Sequence, residues 1–112
     1  MNATAPGGWQ RVADSSQLLP GEMQQFWLGE LAVVVFNLDG DLYALEDRCT
    51  HEDYELSGGS FDTDQGSVEC TLHGARFDVR DGRALCAPAY TPARRIEVKR
   101  EDGGLWLRDP AD

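Results

Sequence analysis

No apolar run in this chain approaches the roughly 20 residues that a membrane-spanning helix requires. Helical periodicity is nearly absent, and there is no internal repeat and no low-complexity tract. No glycine-rich phosphate loop follows a strand and opens a helix, which removes the common nucleotide-binding designs. Met1 to Gly8 carries neither a basic region nor an apolar core, so residues 1–8 read as a disordered lead and not as a secretion signal. Histidine is scarce, at two residues, and so is cysteine, at three. Three cysteines cannot all pair in disulfides within one chain, so reduced thiols and a cytoplasmic setting are expected. Ten basic residues face twenty acidic ones, a net charge of −10. That surplus argues against nucleic acid and against anionic membranes as partners.

What is present suits one small domain. Hydrophobic residues make up 41% of the 112, too many for a chain disordered by composition. Residues 9–112 read as a single domain with a modest core, which a bound metal would help to staple. The acids are unevenly spread. Residues 1–69 hold 13 Asp/Glu against two Arg, whereas residues 70–112 hold seven Asp/Glu against eight Lys/Arg.

Strand signals are short and frequent. Trp9 to Ala13 reads as a first strand. Glu22 to Leu28 and Leu31 to Leu38 form a pair joined at Gly29-Glu30. Asp39-Gly40, a preferred hairpin turn, leads into Asp41 to Glu46. Val68 to Cys70 is short. Ala75 to Arg80 turns at Asp81-Gly82 into Arg83 to Leu85, and Arg94 to Arg100 turns at Asp102-Gly103-Gly104 into Leu105 to Arg108. Ser15 to Leu19 has room for one helical turn. Short strands with turns at such spacing predict an all-β, antiparallel sandwich or barrel. Trp9, Trp27 and Trp106 read as core or surface packing.

Both histidines stand beside a cysteine, in Cys49-Thr50-His51 and in Cys70-Thr71-Leu72-His73. Each pair falls in a loop between predicted strands, where a rigid scaffold can hold a metal at one tip. Two thiolates and two imidazoles complete a four-ligand set. The set fits a tetrahedral zinc, or an iron–sulfur cluster in which two histidines replace two cysteines on one iron. Zinc fingers usually place two cysteines together and then two histidines. Here each loop supplies one of each, as a two-iron cluster needs if one iron takes both thiolates and the other both imidazoles. Cys86 has no histidine neighbour and reads as a buried small hydrophobe, not a ligand. Glu52, Asp53 and Glu55 follow His51 closely. They read either as a solubilising surface or as contacts for a positively charged protein partner.

The ligand pairs, with Arg48 before the first and His73-Gly74-Ala75-Arg76-Phe77-Asp78 closing the second, resemble the Rieske-type 2Fe–2S proteins. The segment Gly82 to Ala89 matches as well, and the resemblance spans roughly residues 9 to 109. It implies a Rieske-like β-sandwich with a cluster-binding subdomain of two ligand loops. It also implies a 2Fe–2S cluster with Cys49 and Cys70 on the inner iron and His51 and His73 on the outer one. Pro88 would lie on a third loop covering the cluster. Thr71 stands where the family usually has proline. High-potential relatives carry two further cysteines, at places held here by Tyr54 and Leu72, and hydroxyl residues at places held by Ala75 and Phe77. Neither Ala75 nor Phe77 can donate a side-chain hydrogen bond, so the resemblance points to the low-potential branch. The implied role is a small ferredoxin, an electron-transfer component and not itself an enzyme. It would take electrons from an NAD(P)H-dependent flavin-containing ferredoxin reductase and pass them to a terminal ring-hydroxylating oxygenase. Two other roles stay open at this point, a Rieske small subunit of another redox enzyme such as assimilatory nitrite reductase, and a structural zinc module.

Overall fold

The computed structural model describes residues 4–5, 8–49, 55–71, 74–86 and 91–110. Its strands in chain order are β1 (Thr4–Ala5), β2 (Trp9–Asp14), β3 (Met23–Leu28), β4 (Leu31–Leu38), β5 (Asp41–Glu46), β6 (Ser60–Asp62), β7 (Ser67–Glu69), β8 (Arg76–Asp78), β9 (Ala84–Cys86), β10 (Arg95–Glu101) and β11 (Gly104–Arg108). Single 3-10 turns occur at Ser15–Gln17 and Leu56–Gly58. No helix among the described residues is long and apolar enough to cross a membrane.

Turn chemistry accounts for the hairpins. Asp39 and Gly40 take φ of 54° and 97°, and Asp102 and Gly103 take 50° and 72°. Two successive residues with positive φ make the tight turn whose twist matches the flanking strands. Asp tolerates the first position and Gly the second. These turns pair β4 with β5 and β10 with β11. The full order is β1-β2-β11-β10-β5-β4-β3 in a seven-stranded sheet and β6-β7-β8-β9 in a four-stranded one. Every pairing is antiparallel.

β4 explains why two layers form. Its residues Val33 to Leu38 are all buried, so both faces of the strand are covered. Alternate side chains of a strand point to opposite faces. Val34, Phe36 and Leu38 enter one core, with Leu45, Leu56, Val68, Phe77, Cys49 and Cys70. Val33 and Val35 enter another, with Phe26, Ala44, Ile96, Leu105 and Leu107. The first core is the seam against the small sheet. Phe36 of β4 meets Phe61 of β6 edge to face, with ring centroids 5.1 Å apart. Such a pair contributes about 0.5–1.5 kcal/mol beyond the area it buries.

The all-β sandwich is as the sequence implied, with local differences. The strand expected at Val68–Cys70 runs Ser67–Glu69, and the strand expected from Ala75 to Arg80 is confined to Arg76–Asp78. β6 and the turn at Leu56–Gly58 carry too few residues to show a period. The helical turn at Ser15 ends at Gln17. Within the expected disordered lead, Thr4 and Ala5 pair with Gln10 and Trp9 as an edge strand. At the far rim, Arg108 donates to Glu97 at 2.6 Å and holds that carboxyl below its ordinary range. The stabilisation from this pair is therefore present above the ordinary carboxylate pKa and lost as pH falls through the lowered value.

Candidate metal centre

The two cysteines of the paired motifs arrive at one place from two sheets. Cys49 leaves β5 through Asp47 and Arg48. The Asp47 amide is fixed on the Ala32 carbonyl at 2.9 Å, and the Arg48 amide on Glu46 at 2.8 Å. Cys70 leaves β7, and its amide donates to the Ala75 carbonyl at 2.7 Å. That bond closes the loop 70–75. Gly74, with φ of 72°, supplies a left-handed turn inside it. Neither cysteine is in a disulfide, and both residues are fully buried in the core that also holds Leu56, Val68, Ala75 and Phe77.

Two cysteine thiols buried in one apolar core, neither in a disulfide, are suited to a cation. An isolated thiolate there is costly, and a bound metal offsets that cost. The donor chemistry thus fits an iron–sulfur cluster whose remaining ligands are imidazoles. His51 and His73, with Glu52, Asp53, Tyr54, Leu72 and Pro88, lie outside the described residues. Among the described residues, no three His, Cys, Asp or Glu side chains converge as a metal site. Ala75 and Phe77 are fully buried beside the cysteines in the same core, and neither brings a hydroxyl.

One residue that the sequence did not flag governs the first loop. Asp47 is only 4% exposed, so its carboxylate needs partners. Oδ1 accepts from the Ser57 amide at 2.8 Å, and Oδ2 accepts from Ser57 Oγ at 2.6 Å and from Gln25 Nε2 at 2.8 Å. The chain thus departs from Asp47 and returns to the same carboxylate at Ser57, closing the segment that carries Cys49 and His51. Gln25 Nε2 also donates to Glu55, the one proposed docking acid that is described, which is exposed. The only sequence signal for this device was an aspartate two residues before the first motif cysteine. Nothing in its neighbours distinguishes it from a solvated loop acid.

Cys86 is half-buried where a buried residue was expected, and its Sγ–H points to the Gly74 carbonyl at 3.5 Å. Serine can make the same bond. Cys86→Ser is therefore expected to keep its iron and visible spectrum, with a stability change of at most about 1–2 kcal/mol. Iron analysis and an absorption spectrum check this, and complete loss of iron in a folded variant would contradict it.

Residues 8–99 match the family model described as the Rieske [2Fe-2S] domain. The ferredoxin component of biphenyl 2,3-dioxygenase from Rhodococcus jostii (strain RHA1) is 43% identical over 91 residues, covering 81% of this chain and 83% of that protein. The solved ferredoxin of carbazole 1,9a-dioxygenase from Nocardioides aromaticivorans IC177 superposes with a TM-score of 0.86 at 30% identity, covering 91% of this chain and 98% of that one. A structure described as a complex of reduced oxygenase and oxidized ferredoxin in carbazole 1,9a-dioxygenase matches with a TM-score of 0.82 at 29% identity, covering 90% and 93%.

Proposed function

Because this chain belongs to the Rieske [2Fe-2S] domain family, we propose that it is the ferredoxin of an aromatic dioxygenase system. It carries single electrons from a flavin-dependent ferredoxin reductase to a terminal oxygenase. The observation that carries this reading is the match to a dioxygenase ferredoxin component over four-fifths of both chains, on a scaffold that buries Cys49 and Cys70 in one core. Cys49, His51, Cys70 and His73 hold the 2Fe–2S cluster, and Pro88 lies on the covering loop. When bound, the cluster accepts and returns one electron. The protein's part is to present two thiolates from hydrogen-bonded loops, exclude water with Leu56, Val68 and Phe77, and leave a face for partners. A cytoplasmic setting keeps the three thiols reduced.

The buried surroundings also set the potential. Hydrogen bonds to the sulfurs stabilise the reduced, more negative cluster, and Ala75 and Phe77 supply none from their side chains. The midpoint is expected near the low end of the Rieske range, roughly −150 mV. A potentiometric titration giving more than about +100 mV would contradict the hydrogen-bond explanation.

Reconstitution tests the role. With reductase, NAD(P)H and oxygenase present, substrate oxidation should require this chain, and stopped-flow should show its one-electron reduction. Failure of the reduced chain to donate to any such oxygenase would overturn the reading. Glu52, Asp53 and Glu55 form part of the docking face for a basic partner. Association should therefore slow as salt rises, because such attraction is screened over about 10 Å at 0.1 M salt. Charge reversal at Glu52 and Asp53 should flatten that dependence. A rate indifferent to salt would assign these acids to solubility alone.

A further inference from the structure

Trp27 is a large aromatic that the fold leaves in water. It is 54% exposed on β3, the edge strand of the seven-stranded sheet, opposite Ala32 of β4. Single exposed apolar residues are ordinary on protein surfaces. This one lines a groove with Leu31, Glu30, Glu46, Arg48 and Glu55. Arg48 and Glu55 lie on either side of the segment 49–54, so the groove adjoins both ends of the first ligand loop. Asp47 also lines it, already engaged by Ser57 and Gln25, so four carboxylates there outnumber one guanidinium. Among the described residues neither Glu30 nor Glu46 has an ion-pair partner.

Resting on the electron-carrier reading above, we propose that this groove is a docking element for an arginine side chain on the surface of the redox partner. A guanidinium stacks on an indole face by cation–π attraction, and its planar fork pairs with carboxylates at the edge. Lysine suits the site less, because its ammonium is more strongly hydrated and cannot stack as a plane. The chain carries one cluster, and both the reductase and the oxygenase must approach it. A recognition site at the edge of a ligand loop lies within reach of either partner's footprint. The groove extends the acidic face from charge steering, which acts at a distance, to a contact that fixes orientation.

The test is the Michaelis constant for this ferredoxin, measured with holoprotein against reductase and against oxygenase. Trp27→Ala should raise KM roughly five- to thirtyfold with at least one partner, the range expected from losing a partly desolvated cation–π contact. Trp27→Phe should recover part of that loss, because a ring face remains. Glu30→Lys, at an exposed turn, should raise KM in the same direction and does not depend on Trp27 variants folding. The visible spectrum and midpoint potential should not move, which separates docking from damage to the scaffold. Leu19→Ala, an exposed apolar site elsewhere, should leave KM unchanged. Unchanged KM with both partners in folded Trp27→Ala or Glu30→Lys protein would overturn the proposal while leaving the carrier role intact. A wild-type chain that accepts no electrons would instead overturn the carrier reading.

Discussion

Cys49→Ser and Cys70→Ser proteins are expected to be colourless, with the two irons and two sulfides of the 2Fe–2S cluster lost. A serine hydroxyl is a poor substitute for a thiolate on iron, and each ligand loop supplies only one cysteine. The structural cost adds to the chemical one. Both positions are fully buried among Leu56, Val68 and Phe77. At position 49 a hydroxyl left without a partner costs about 1–3 kcal/mol. Loss of a group that binds only the folded chain lowers stability further. Metal and labile-sulfide analysis, with thermal unfolding, measures both effects. Retention of a full cluster in either variant would remove that cysteine from the ligand set.

Asp47→Ala is expected to cost about 3 kcal/mol, the scale for breaking a buried, charge-assisted network. The substitution leaves the half-buried Ser57 amide and hydroxyl and the Gln25 amide without their common acceptor. It also unties the two ends of the first ligand loop, so the variant should lose its cluster faster on dilution or exposure to chelator. Asp47→Asn keeps one acceptor oxygen and should fall between. Denaturant unfolding and the rate of bleaching read the two consequences separately. A fully stable Asp47→Ala protein with wild-type bleaching would show that the loop is held by other contacts.

The elements that the sequence revealed are those with local chemistry. Asp39-Gly40 and Asp102-Gly103 announce their hairpins because few residue pairs accept two positive φ angles. The long apolar run at β4 marks a strand covered on both faces. The paired Cys/His motifs stand out because ligand spacing is a local property. The Asp47 network was hidden because it joins residues 25, 47 and 57, which only the folded chain brings together. β6 was missed because three residues cannot display a period, and its place depends on pairing with β7. β1 owes its form to β2, not to Thr4 and Ala5 themselves. Cys86 looked like a core residue by type, yet its position beside Gly74 leaves it half-exposed. Trp27 looked like packing, and nothing in its neighbours showed that β3 would be the edge of the sheet.

The central claim is that two imidazoles and two thiolates share one two-iron cluster. Pulsed electron paramagnetic resonance on the reduced protein, prepared with natural and with ¹⁵N-labelled histidine, tests it most directly. Strong couplings from two histidine nitrogens are expected, and His51→Ala or His73→Ala should abolish the signal. A reduced cluster without nitrogen coupling, or a colourless protein holding one zinc and no labile sulfide, would contradict the assignment.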